Sequence, residues 1–276
     1  PMSEKQFDNN QELERVLGQV SNQLRGSLGN IYQALNRIAP MEVREGNGAV
    51  DRDAAVLCQS YYRILRLANN LSDAAHLEGP SAAQLRNGDI VGLCRDIMDR
   101  ARHPAELLGI RLDFQCEKER HTIAMDKDRI ERMMLNLLSN AFKFIRRDEK
   151  LVTLDVRVSR EWVELILTDP GCGISQELLE TVFDRYRHTQ RLDPPPHGLG
   201  LGLPVCRRIA QEHGGVLLLT SQEGTGTTVT VSLPNKRSKL QQMSTFLVDL
   251  GGGYNRTLAE LSDALPSRAF THQYMD

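Results

Sequence analysis

In DRIERMMLNLLSNAFKFI, residues 128–145, Asn136, Asn140 and Lys143 stand four and three residues apart and so share one face of a helix. Ile130, Met134, Leu138, Ala141 and Ile145 occupy the opposite face. Such a helix has two readings. It is an ordinary amphipathic helix with a solvated polar stripe, or it presents two amides and an ammonium to a ligand. The segments around it bear on the choice.

Downstream, TDPGCGIS (168–175) ends a strand on Asp169 and continues with Gly171 and Gly173. Glycines let backbone approach a flat ligand closely, and a strand-end carboxylate can accept from an exocyclic amine. GLGLGLP (198–204) places Gly198, Gly200 and Gly202 at the opening of a helix, where backbone N–H groups meet an anion such as phosphate. It lacks the strand-first context of a dinucleotide fingerprint, and no Gly-Lys-Ser of a P-loop is present. EGTGTTVTV (223–231) is a glycine turn running into a strand. Around these motifs, the order is helix within 85–110, strands IRLDFQCE and HTIAMD, a hairpin over 151–169 turning at Ser159 to Glu161, helix PVCRRIAQEH, and strands GVLLLTSQ and TTVTVSLP. Helices and paired strands in this order predict an α/β sandwich, with helices on one face of a mixed sheet.

Taken in sequence, the motifs resemble those of the ATP-binding catalytic domain of sensor histidine kinases, the GHKL or Bergerat fold, over residues 85–234. LNLLSNAFKF resembles the N box, DPGCGI the G1 box, VFDRYRH the F box, GLGLGLP the G2 box and GTGTTVTV the G3 turn. The resemblance implies ATP and Mg²⁺ as cofactors, with Asn140 as metal ligand and Lys143 reaching a phosphate. It implies that Asp169 accepts the adenine amine, with Gly171 and Gly173 against the ring, and that Gly198, Gly200 and Gly202 form the hinge of the ATP lid. Thr227 or Thr228 adds an adenine-side contact. In the F box the usual arginine position holds His188, with Arg185 and Arg187 close by; Arg187 is expected at the nucleotide site, and the phosphate partner is one of Arg185, Arg187 and His188. The lid TQRLDPPPH (189–197) is short and stiffened by Pro194–Pro196. Asn136 stands where hydrolytic relatives carry a glutamate general base, and an amide cannot take a proton from water, so slow hydrolysis is expected.

Toward the N-terminus, Leu13, Leu17, Val20, Leu24, Leu28, Ile31, Leu35 and Ile38 alternate steps of three and four along one helix. A loop with Pro40, Gly46 and Gly48 is expected next, then a second helix from near Asp51 with Leu57, Tyr61, Ile64, Ala68, Leu71 and Ala75 on one stripe, ending at EGP (78–80). Residues 8–79 thus read as a two-helix hairpin whose seams are buried by pairing into a four-helix bundle, which predicts a homodimer. The hairpin resembles the dimerisation and histidine-phosphotransfer unit of the same family. Its box, approximately S-H-E-L-R-T-P-L, reads here Ser21, Asn22, Gln23, Leu24, Arg25, Gly26, Ser27, Leu28. Asn22 replaces the phosphoacceptor histidine, and an amide nitrogen has no basic lone pair with which to attack phosphorus. None of the seven histidines lies on the first helix; His76 ends the second. The resemblance therefore implies an α+β two-component signalling protein of the transferase class whose catalytic acceptor is absent, a pseudokinase in that sense, with a response regulator or partner kinase as partner.

Composition adds boundaries. With 34 Lys and Arg against 36 Asp and Glu the net charge is −2, and no basic run points to nucleic acid. Cys58, Cys94, Cys116, Cys172 and Cys206 form no C-x-x-C pair and fit a reduced, cytoplasmic protein. No apolar run spans a membrane, and PMSEKQFDNNQELER has neither the basic nor the apolar region of a secretory signal. Residues 235–276 stand apart, with an expected strand TFLVDL and a short helix bearing Thr257 and Glu260 at capping-box spacing.

Overall fold

A computed structural model of the chain describes residues 4–75, 83–145, 150–179, 181–183, 200–238 and 255–275, with the side chains of 4–14 and 74–75 excepted. His76, Arg185, Arg187, His188, the 189–197 segment, Gly198 and TFLVDL lie outside these residues. The chain divides into two compact units, residues 1–80 with 265–276, and residues 81–264.

In the first unit, α1 (Glu4–Ile38) and α3 (Gly48–Ala75) pack as an antiparallel pair. The segment between them is not the expected loop. It forms a short helix, α2 (Met41–Gly46), started by Pro40, whose φ of −65° is already helical at a position where its missing N–H is not needed. Asn47 then accepts from Ala49 N at 3.0 Å and Val50 N at 3.3 Å, so α3 begins at Gly48, ahead of the Asp51 expected from its stripe.

The single stripe expected on α1 is divided. Ser21, Leu28 and Leu35 are buried, whereas Val20, Ile31 and Ile38 are 41%, 55% and 78% exposed. A stripe with steps of three and four wanders across the helix surface, and α3 covers only part of it. Ser21 belongs to the buried part and donates its hydroxyl to Ala68 O at 2.7 Å. On α3 the buried face is Ala54, Ala55, Cys58, Tyr62, Leu65 and Ala68, while Leu57 and Ile64 of the expected stripe remain exposed.

Residues 255–275 do not stand apart as expected, because their apolar side chains are buried, those of 265–275 within the first unit and those of 255–264 within the second. Ser267–Phe270 and His272–Tyr274 form two 3-10 turns within the helical unit. Phe270 is fully buried with its ring 5.7 Å from Tyr62, which in turn meets Tyr61 at 5.1 Å and, through it, Tyr32. Arg44 Nη2 donates to Phe270 O at 2.7 Å and Nε to Asp51 at 2.9 Å, and Asp51 also accepts from His272 N and pairs with its Nδ1 at 2.8 Å. Burial pushes the Asp51 carboxyl up, but hydrogen bonds from His272 and Arg44 outweigh it and hold it below the ordinary value.

In the second unit, β1 (Arg86–Asp89) pairs antiparallel with β3 (Thr122–Met125). The main sheet runs β2 (Arg111–Cys116), β4 (Leu151–Val158), β5 (Trp162–Asp169), β7 (Gly226–Pro234), β6 (Val216–Gln222). Only β2–β4 is parallel, so the sheet is mixed. Alternate residues on β4 and β5 are buried, among them Val152, Leu154, Val156, Val163, Leu165 and Leu167. Against them lie α4 (Ile90–Leu107), α5 (Lys127–Phe144) and α7 (Gly202–Glu212), each with an apolar face; a short α6 (Gln176–Leu179) follows β5. The last helix, α8 (Arg256–Leu261), is capped by Asn255, whose Oδ1 accepts from Leu258 N at 3.0 Å. Thr257 and Glu260 therefore do not form the expected capping box; both are buried inside the helix. No helix among the described residues is long and apolar enough to cross a membrane, and all five cysteines are unpaired with one another.

Two substitutions in the helical unit have opposite expected signs. Phe270→Ala removes a fully buried ring and should destabilise that unit by about 3–5 kcal/mol, read as a lower unfolding midpoint by circular dichroism. Gly26 sits in mid-helix with no atom within 4 Å of a Cβ built there, so Gly26→Ala should stabilise by up to about 1 kcal/mol in the same measurement.

Candidate functional site

Helix α5 is held at both ends. At its start Asp126 Oδ1 accepts from Arg129 N, while Asp126 N donates to His213 Nε2 at 2.9 Å. Burial lowers the His213 pKa, so the ring is neutral, with Nδ1–H donating to Ile209 O and Nε2 left to accept. The end of α7 is thereby tied to the start of α5. At the other end Phe144 O accepts from Cys172 N at 2.9 Å, and Ile145 bridges to Gly171.

That tie excludes any side chain at position 171. A Cβ on Gly171 would lie 2.5 Å from Asp169 Oδ1 and 2.6 Å from Phe144 O. Gly173, at φ +69°, would bring a Cβ within 2.0 Å of Gln222 O. The turn after β5 is thus pressed between the end of α5 and the β6–β7 turn. Ser221 completes the latch: it accepts from Ile174 N at 2.8 Å, donates to Gly226 O at 2.8 Å and meets Thr227 Oγ1 at 2.9 Å. Nothing in local spacing marks Ser221, because its partners come from two other segments.

The polar stripe of α5 is not a solvated one. Asn136 is 1% exposed, and Asn140 and Lys143 are half-buried. Asn136 Nδ2 donates to Arg132 O at 3.2 Å, and its Oδ1 would lie 3.5 Å from a Cβ on Gly202. The first residue of α7 is therefore beside α5. Gly200 turns the chain into α7 with φ +68°, and Leu201 at the N-cap offers no side-chain acceptor to the first N–H groups of the helix. Lys143 Nζ donates to Asp263 Oδ2 at 3.2 Å, a partner outside the motifs and unmarked in the sequence.

Asp169 is the perturbed group. Burial raises its pKa from 3.8 to about 6, against the opposing hydrogen bond from Gly171 N at 2.9 Å. Thr227 is its cross-strand partner in the β5–β7 register, and Thr168 meets Thr228 at 3.2 Å between their hydroxyls. The structure thus gathers Asp169, Gly171, Gly173 and Thr227 at one end of α5. It places Asn136 against Gly202 farther along that helix, while Arg187 and Gly198 fall outside the described residues. Chemically, this is a half-buried acceptor beside bare backbone, together with amides and an ammonium suited to an anion.

The donor set also limits a metal. Among the described residues no three His, Cys, Asp or Glu side chains cluster. A hard cation would find the Asn140 amide oxygen, which fits an ion that brings most of its ligands with an anionic substrate.

Residues 125–237 match the family described as Histidine kinase-, DNA gyrase B-, and HSP90-like ATPase. Sensor protein SrrB of Staphylococcus aureus strain N315 is 31% identical over 221 residues, 79% of this chain and 37% of the relative. SrrB of strain NCTC 8325 aligns over the same shares at the same identity. The chain thus spans well under half the length of the curated relatives it matches. A solved structure of full-length ShkA in complex with AMPPNP superposes with a TM-score of 0.63 at 22% identity, covering 80% of this chain and 45% of that one.

A carboxyl with a raised folded pKa favours the folded state most below its unfolded value of 3.8, and that contribution is lost as pH rises through about 6. Asp169→Asn removes the titration. After allowance for partial exposure, the variant should exceed the parent in stability by about 1 kcal/mol above pH 6, with the difference shrinking toward pH 4 in denaturant titrations.

Proposed function

We propose, from the premise that this chain belongs to the sensor histidine kinase family and carries its histidine kinase-, DNA gyrase B- and HSP90-like ATPase domain at residues 125–237, that it binds Mg·ATP yet does not phosphorylate itself at the usual position. In this reading it is an ATP-dependent regulator in a two-component pathway. The hairpin of residues 8–79 is the dimerisation unit and residues 85–234 the nucleotide unit.

One observation carries the reading. Asn22, at the phosphoacceptor position, is exposed on α1 with its Oδ1 held by Arg25 Nη2, and Arg25 Nη1 reaches Asn69 at 3.4 Å. Ser21, Leu24, Arg25 and Leu28 of the box are kept, while the nucleophile and the acid beside it are replaced by Asn22 and Gln23. The exposed Val20, Ile31, Ile38, Leu57 and Ile64 are apolar surface of the kind a second hairpin would cover, which supports the homodimer.

At the nucleotide unit, Asp169 accepts the adenine amine, the glycine backbone of the 171–173 turn lies against the ring, and Lys143 and the first N–H groups of α7 receive phosphate oxygens. Thr227 lies on the adenine side, and Arg187, Gly198 and Gly200 belong to the phosphate side. Asn140 would hold Mg²⁺, which would supply charge neutralisation beside the phosphates. Asn136 cannot act as a general base, so turnover of ATP by water is slow.

A second reading is favoured by the same pairing of a lost acceptor with retained ATP-site residues: the chain phosphorylates a partner in trans, on a histidine of a heterodimer partner or on a Ser-type target. Incubation with labelled ATP separates the two. No label on the protein itself is expected; label there overturns the reading of Asn22, and label on an added partner supports the second. By calorimetry, Asp169→Ala should weaken both Mg·ATP and adenosine by about tenfold or more. Asn140→Ala should weaken Mg·ATP alone by a similar factor. Wild type failing to bind either compound would overturn nucleotide binding altogether.

A further inference from the structure

Lys143 is already engaged by a carboxylate that the motifs do not include. Its Nζ lies 3.2 Å from Asp263 Oδ2, and the two side chains are 13% and 15% exposed. Asp263 follows α8 directly, and α8 is firmly seated within the same unit. Leu258, Ala259 and Leu261 are buried. Arg256 Nη1 pairs with Asp128 at 2.8 Å and Glu131 at 3.1 Å, and Arg132 Nε lies 3.8 Å from Glu260. Two anchors, Arg256 and Glu260, thus bind the segment along α5 through three ion pairs and deliver Asp263 to the far end of the same helix.

We propose that residues 255–264 form an autoinhibitory strap in which the Asp263 carboxylate competes with nucleotide phosphate for Lys143. The inference rests on the reading of Lys143 as a phosphate contact. An ammonium carries one charge, and in a largely buried setting a second anion beside it meets the first as a like charge. A phosphate group must therefore either displace Asp263 from Lys143 or bind beside it at reduced affinity. A ligand without phosphate does not encounter this competition. Ala264 closes the nucleotide unit and Leu265 begins the segment that belongs to the helical unit, so the strap lies at a covalent junction between the two.

The test is calorimetry on the full chain with Mg·ATP and, separately, adenosine. Asp263→Asn should tighten Mg·ATP by about fivefold or more and leave adenosine unchanged. Asp263→Glu, which keeps the charge, should remain close to wild type. Arg256→Ala, which loosens the strap from its other end, should shift Mg·ATP in the same direction as Asp263→Asn. In a Lys143→Ala background, Asp263→Asn should lose its effect. Should Asp263→Asn unfold the segment, Asp263→Ser serves in its place, with the melting temperature as control. Mg·ATP affinity unchanged or weakened in both Asp263 variants, with wild type binding normally, overturns the strap and leaves nucleotide binding standing. An equal tightening of adenosine also overturns it. Absence of binding of either compound to any of these proteins removes the nucleotide reading and the strap together, whereas adenosine bound by wild type with Mg·ATP bound by Asp263→Asn alone supports both.

Discussion

The hydrogen bond from Cys172 N to Phe144 O, made where Gly171 has no side chain to interfere, fixes the geometry of the candidate site. It joins the last carbonyl of α5 to the turn that follows β5, so helix and sheet meet at one defined point. Asp169 ends that strand, and Lys143 precedes Phe144 on that helix. A side chain at 171 would push apart the two elements that carry the site's opposite chemistries. The Ser221 latch holds the other side of the same turn against β6 and β7. The site is consequently built from backbone contacts between elements distant in sequence, with side chains added at their ends.

Burial gives this arrangement its electrostatic character. Asp169 sits where its charge is poorly solvated, and one backbone N–H only partly offsets that. Along α5, positive groups meet negative ones: Arg256 with Asp128 and Glu131, Arg132 with Glu260, Lys143 with Asp263. The C-terminal segment supplies one partner of each pair, so the charges lining α5 are compensated within the chain.

The helical unit shows scaffold and chemistry separating. Ser21, Leu28, Tyr62 and Phe270 hold the helices and the C-terminal turns by burial and by hydrogen bonds from the Ser21 hydroxyl to Ala68 O and from Arg44 to Phe270 O. Asn22 contributes nothing to that packing; it faces solvent with Arg25. A substitution at such an exposed position leaves the packing of the hairpin untouched, because its buried residues lie on the other face of α1.

Periodicity made the helices of the hairpin and α5 legible, and alternation made the strands legible, because those patterns are local and α-helix and β-strand repeat them faithfully. Asn136, Asn140, Lys143, Asp169 and the glycines of the 171–173 turn stand in motifs legible for the same reason, and the resemblance of those motifs to a known family's boxes named them as candidates. Other features depended on segments meeting across the chain. The choice of which half of the α1 stripe is buried, the short helix after Pro40, the capping of α8 by Asn255 in place of Thr257, and the roles of Ser221 and Asp263 all follow from such meetings. No run of residues encodes a partner 47 or 120 positions away. Sequence spacing thus determined which groups are available and on which face of their own element they stand. Tertiary packing alone decided which of those groups are desolvated and paired, because burial is a property of what arrives from elsewhere.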